Sequence, residues 1–193
     1  MADRVSAIVR GFRVVVENGR PDIDTGFVIG RLDAALALIE RYQPARFRHM
    51  TRDVLQFLVV SYPCRGAYFP AQRTIMTELS FLHRAPEFTP AVVASSILHE
   101  GAHARMHQLR LNGRGLRPES FGRDREERIC RRAELNFGRA LPAELGGPVI
   151  ARAEATLASA PGELDFPIDW AEAHRNKARE DLQAIHSNRR STT

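Results

Sequence analysis

Apolar residues recur along the chain with two different periods, and the change of period divides it. Val5, Ile8, Val9, Phe12 and Val16 stand at helical spacing with Gly19 as a stop, which predicts a first helix. Leu32, Ala35, Leu36 and Ile39 predict a second, ending before Pro44. Residues 54–61 (VLQFLVVS) are rich in branched and aromatic side chains and read as a buried strand, closed by Tyr62-Pro63. In residues 73–82 (RTIMTELSFL), Ile75, Thr77, Leu79 and Phe81 alternate with Thr74, Met76, Glu78 and Ser80. That period of two predicts a strand, and its more polar face suits a sheet edge. Residues 83–88 read as a loop.

Helical spacing then returns. Thr89 suits an N-cap and Pro90 the first helical position, where its missing N–H is not needed. The predicted helix spans residues 90–111 and stops at Asn112-Gly113 and Gly115. Pro118 and Gly122 keep the next stretch a loop, and a further helix is predicted over residues 124–140, closed by Leu141-Pro142. Gly146-Gly147-Pro148 predicts a break, followed by helices over 149–159 and 168–186 and a frayed terminus, SNRRSTT. The expected organisation is one mostly helical α+β domain over residues 1–193 with a small sheet. Its parts are N-terminal helices (1–50), a sheet and core (51–142) and C-terminal helices (149–186).

Composition narrows the classes of function. Hydrophobic residues make up 44% of 193, enough for a real core. The formal net charge of +5 comes from 28 basic against 23 acidic residues, and Lys177 is the only lysine. The densest arginine cluster, Arg123 to Arg132, is interrupted by Asp124, Glu126 and Glu127. With no compact basic run interleaved with aromatics, nucleic acid is not the expected partner. Cys64 and Cys130 form no CxxC pair and read as reduced thiols. Arg10, Arg13 and Glu17 interrupt any secretory leader, and no stretch approaches the roughly 20 apolar residues of a membrane helix. A cytoplasmic protein without a membrane partner is expected.

The chemistry lies in His99-Glu100-Gly101-Ala102-His103. On a helix, residues i and i+4 share a face, so His99 and His103 can hold one zinc ion from one side. Glu100 then stands where it can act as general base on water that the metal activates. A third ligand is required. His107 lies about 12 Å along a straight helix from His99, too far for one ion; it reads as a group behind the site or on the surface. The next helix offers Glu126, Glu127 and Glu134. An antiparallel return from His103 meets it near residue 131, between Glu127 and Glu134, which share a face seven residues apart. Either is a candidate ligand, leaving the other to orient a histidine or meet an arginine. Glu127 is favoured, and Glu126 is not excluded. Cys130 reads as a buried thiol beside them.

LHEGAH followed by a glutamate-bearing helix resembles the gluzincin branch of the zincin metallopeptidases over residues 70–142, and the short layout resembles compact bacterial members. The resemblance implies Zn2+ on His99, His103 and either Glu127 or Glu134, with Glu100 as the catalytic glutamate. It implies a peptide or protein substrate paired along the edge strand 73–82, and a site helix packed against the glutamate helix. Thermolysin-like members also carry an aspartate four residues after the ligand glutamate. Here that place falls on Arg131, Gly138 or Cys130, so the family's backing carboxylate is missing from its usual place in every register. Tyr68 and His174 are the candidates for stabilising the tetrahedral intermediate. The expected activity is zinc-dependent peptide hydrolysis. A non-catalytic or regulatory zincin-like zinc protein is the alternative, and an arginine-rich binder of polyanions a more distant one.

Overall fold

The computed structural model describes residues 3–84, 87–113, 122–160 and 169–191. Residues 3–18 form a hairpin, not the predicted helix. Strand β1 (Asp3–Val9) pairs antiparallel with β2 (Phe12–Asn18), Val9 opposite Phe12. Arg10 and Gly11 both take left-handed φ, 46° and 83°, giving a two-residue turn whose twist matches the strands. The β-branched run Val14–Val16 favours extended backbone. Phe12, Val14 and Val16 are buried at a period of two that the helical reading overlooked.

Helix α1 (Thr25–Tyr42) follows, with the Asp24 carboxylate accepting from the Phe27 N–H at its start. Pro44 ends α1 as expected but also opens α2 (Pro44–Asp53). Then come β3 (Gln56–Val60), β4 (Gly66–Phe69) and β5 (Thr74–Glu78). The five-stranded sheet has the order β1-β2-β3-β5-β4, with β2, β3 and β5 mutually parallel and β1 and β4 antiparallel to their neighbours. Two expectations change here. The segment 73–82 is no edge strand: β5 lies inside the sheet with all five residues buried, and β4, which the sequence did not announce, forms the edge. Its second half is helical, α3 (Leu79–His83), because the Glu78 carboxylate accepts from the Phe81 N–H at 2.6 Å and turns the chain. His83 therefore belongs to a helix, and positions 85 and 86 of the expected loop lie outside the described residues.

Helix α4 (Pro90–Leu111) has the predicted bounds, and Thr89 caps it by accepting from the Val92 N–H. Of the loop expected after it, residues 114–121 lie outside the described residues; Gly113 at φ 64° closes α4 and Gly122 precedes α5 (Arg123–Ala140). The break predicted at Gly146-Gly147-Pro148 does not occur: α6 (Ala143–Leu157) runs through it. Gly146 faces the Gly138 carbonyl so closely that a Cβ would sit 2.2 Å from its oxygen, so these glycines serve the contact between α5 and α6. The core joins Phe12, Phe57 and Ile75 of the sheet to Leu32, Leu36 and Ile39 of α1 and Ile97 and Leu98 of α4. The sheet thus draws β1 and β2 from the part expected to hold only N-terminal helices.

The last helix, α7 (Trp170–Ser191), continues into the segment expected to fray as far as Ser191, and positions 192 and 193 lie outside the described residues. Its residues are mostly exposed, and charge holds it across the C-terminal ends of β2, β3 and β5. Lys177 contacts Glu78 at 2.9 Å and Ser80 at 3.1 Å, Asp181 contacts Arg20 at 2.7 Å, and Ser61 donates to Asp181. Burial opposes the Asp181 charge, yet hydrogen bonds from Ser61, Lys177 and Arg20 outweigh it and hold the pKa below its ordinary value of 3.8. A carboxylate with a depressed folded pKa stabilises above its unfolded pKa, and that stability is lost as pH falls through the folded one. Trp170, the sole tryptophan, packs against Tyr62 with centroids 6.1 Å apart and reports the docking. Its emission is expected to stay constant down to about pH 5 and change below about pH 4, and Asp181→Asn to produce that change at neutral pH. Emission unaltered by both acid and substitution would mean that apolar contacts hold α7. Among the described residues, no helix is long and apolar enough to cross a membrane.

Candidate metal centre

Two helices and the sheet edge build the site. His99 and Glu100 are buried midway along α4, while His103, one turn on, is partly exposed. Their helix sits close to its neighbours because of small residues. A Cβ on Gly101 would meet Met50 of α2 at 3.0 Å, and one on Gly66 of β4 would meet the Glu100 side chain at 3.3 Å. Glu100 thus lies directly against the edge strand, in a cleft of about 710 Å³ that His99, His103, Glu127 and Glu134 also line.

Helix α5 brings its carboxylates to the two histidines. The Glu127 oxygens lie 3.1 Å from His99 Nε2 and 3.5 Å from His103 Nε2. Glu134, fully buried, takes the other side of His99: Nδ1 donates to its Oε1 at 2.7 Å, and Ser95 Oγ donates to its Oε2 at 2.8 Å. Arg131 Nη1 also donates to Oε1, at 2.6 Å. The two glutamates therefore divide the alternatives left open between them. Glu127 faces both histidine Nε2 atoms, and Glu134 orients His99 from behind. The carboxylate that orients His99 and meets Arg131 is thus the second of the two glutamates, seven residues after Glu127. Glu126 stands 3.9 Å from His103 Nδ1 and pairs with Arg110.

The donor set can be compared with what zinc takes. With bonds of 2.0–2.1 Å, two tetrahedral ligand atoms stand about 3.3 Å apart, close to the spacings from Glu127 to both histidines. His99, His103 and Cys130 also offer ligand atoms within 4.8 Å of one another. Cys130 is fully buried among Ala102, Ala133 and Met106, however, and burial together with nearby carboxylates holds its thiol pKa well above the ordinary range. Full burial is what the reading as a buried thiol expected. Two imidazoles with the Glu127 carboxylate, or the same imidazoles with Cys130, would each give a donor set of the kind zinc takes.

Charge is concentrated here. Burial opposes protonation of His99, but its bonds to Glu127 and Glu134 outweigh that and raise its pKa to about 9. Burial likewise opposes the Glu127 charge, and the bonds to His103 and His99 reverse the balance and hold it far below the ordinary range. Glu100 shifts the other way: burial raises it, only partly offset by His99 and His103. A carboxylate pushed upward is suited to take a proton and return it.

Of the remaining candidates, Tyr68 of β4 lines the cleft with its hydroxyl 3.4 Å from His107 Nδ1. His107 is thus a cleft group, and it is not in the group of described residues whose ligand atoms converge with those of His99 and His103. His174 instead packs on Tyr62, with centroids 5.0 Å apart, and is not among the cleft residues. Several cleft residues were not anticipated: Arg65, Gly66, Ser96, Arg152 and Trp170. Ser95 and Ser96 were detectable in principle, since they precede His99 by one helical turn. The others reach the site from distant segments without any local signal. Comparison with protein-family models, curated proteins and solved structures found no match to this chain.

Proposed function

We propose that the chain is a zinc-dependent metallopeptidase, with the metal on His99, His103 and Glu127 and with Glu100 as general base. The observation carrying this reading is the position of Glu127, 3.1 Å and 3.5 Å from the two Nε2 atoms. When bound, zinc supplies Lewis acidity, lowering the pKa of water and polarising a carbonyl. The chain's own residues do the rest. Glu134 and Ser95 fix the His99 ring with Nε2 forward. Glu100 takes the proton of the attacking water and passes it to the leaving amine as the peptide C–N bond breaks. Tyr68, on the cleft wall, is a donor that could serve the developing oxyanion.

A second reading rests on the proximity of Cys130 to both histidines: a closed site of His99, His103 and Cys130 in a non-catalytic zinc protein. Metal analysis of the purified protein separates the two. The expected result is about one zinc per chain in wild type and in Cys130→Ala, and loss in His103→Ala and Glu127→Ala. Loss in Cys130→Ala with retention in Glu127→Ala would favour the closed site. No metal in wild type after zinc is supplied would remove both.

A further inference from the structure

Beside the metal site, two guanidinium groups each keep an N–H donor without an acceptor among the described residues. Arg131 projects from α5 and Arg152 from α6, and both line the cleft. Arg131 Nη1 is bound to Glu134, but its Nε is buried with no hydrogen-bond partner among the described residues, and so is Arg152 Nη1. A buried guanidinium N–H left without an acceptor is costly. The charges acting on Arg152 are one carboxylate, Glu134, and two guanidiniums, Arg131 and Arg65. Glu134 is already engaged by His99, Ser95 and Arg131. Arg65 is held over the rings of Phe88 and Phe81, at 4.6 Å and 5.5 Å. Three guanidiniums from different segments thus face a cleft whose one carboxylate in their midst is spent.

We propose that Arg152 and Arg131 form a subsite for a substrate carboxylate next to the scissile bond. The subsite would then select peptides carrying that charge at a free C-terminus or on an aspartate or glutamate side chain. This rests on reading the cleft as the substrate site of a metallopeptidase. The planar guanidinium presents paired N–H donors that match a carboxylate. Arg131 also couples the subsite to the metal site, since the Glu134 oxygen that it binds is the one that accepts from His99. A substrate held there is anchored one hydrogen-bonded residue behind a ligand histidine.

The test is a calorimetric titration of the full chain with three probes: N-acetyl-glycyl-glycine, its carboxamide, and N-acetyl-aspartate amide. The free carboxylate or the aspartate probe is expected to bind about tenfold more tightly than the carboxamide, and whichever does so names the source of the charge. Arg152→Gln is expected to abolish the preference and His103→Ala to keep it, because the subsite does not need the metal. Loss of metal from the protein would therefore defeat the peptidase reading without touching this result. Equal binding of all three probes by wild type would overturn the proposal, and the wild-type comparison depends on no variant folding. A preference unchanged in Arg152→Gln, or tighter binding of inorganic phosphate than of either carboxylate, would overturn it as well.

Discussion

Glu100→Gln is expected to keep its zinc and its fold while losing turnover by about 10²–10⁴-fold, the range that a positioned general base supplies. The substitution preserves shape, so the close approach of the side chain to Gly66 is kept. Burial favours it, since the carboxylate is the costlier group to enclose and its pKa is raised for that reason. What the amide lacks is the ability to accept a proton from water. The separation of effects is therefore sharp: melting temperature unchanged or higher, zinc content unchanged, peptide cleavage gone. Quenched-peptide hydrolysis beside metal analysis measures all of it. Full activity in Glu100→Gln would leave the HExxH residues as metal holders only and move the general base elsewhere.

The parts of this site that the sequence announced are those encoded within one helix. Thr89-Pro90, the apolar spacing of Ala94, Ile97 and Leu98, and Asn112-Gly113 all act locally, and α4 has the predicted bounds. His99, Glu100 and His103 follow from that helix alone. The choice between Glu127 and Glu134 was not legible. They lie on one face, and only the height of α5 against α4 decides which reaches both Nε2 atoms and which reaches Nδ1. The aspartate of thermolysin-like chains is absent from its place, and a glutamate about one helical turn further along α5 orients His99. The sheet was less legible still. Val5, Ile8, Val9, Phe12 and Val16 satisfy a helical template, and the turn at Arg10-Gly11 lacks the usual Asn-Gly signal. Interior or edge position is a property of pairing. β5 is interior because β4, four residues long and half-buried, folds back beside it. The mostly helical α+β class nevertheless survives these errors, since α1 and α4 to α7 dominate the chain.

Glu134→Ala is expected to cost about 3–5 kcal/mol of stability, the usual result of removing one partner from a buried charge pair. The side chain is fully buried and accepts from His99 Nδ1, Ser95 Oγ and Arg131 Nη1. Removing it strands three donors at once and leaves the Arg131 charge enclosed. Zinc affinity is expected to fall about 10–100-fold as well, since the His99 ring loses the group that orients it. Glu134→Gln discriminates charge from shape. An amide oxygen in the place of Oε1 still accepts from His99 and Arg131, and its nitrogen can donate to Ser95 Oγ, so most of the geometry survives without the charge. Its stability should lie between wild type and Glu134→Ala. The pH dependence follows the same residue. Burial opposes the Glu134 charge, but His99, Arg131 and Ser95 outweigh it and hold the pKa below 4.5. Its contribution is therefore present above that unfolded value and disappears as pH falls through the folded one. Denaturant titrations at pH 7 and near pH 3 measure this. The gap between wild type and Glu134→Gln should narrow in acid, because below 4.5 the unfolded wild-type carboxyl takes up the proton that the folded one resists. A gap that is equal at both values would mean that Glu134 acts by packing alone, and the electrostatic account of the His99 support would fail.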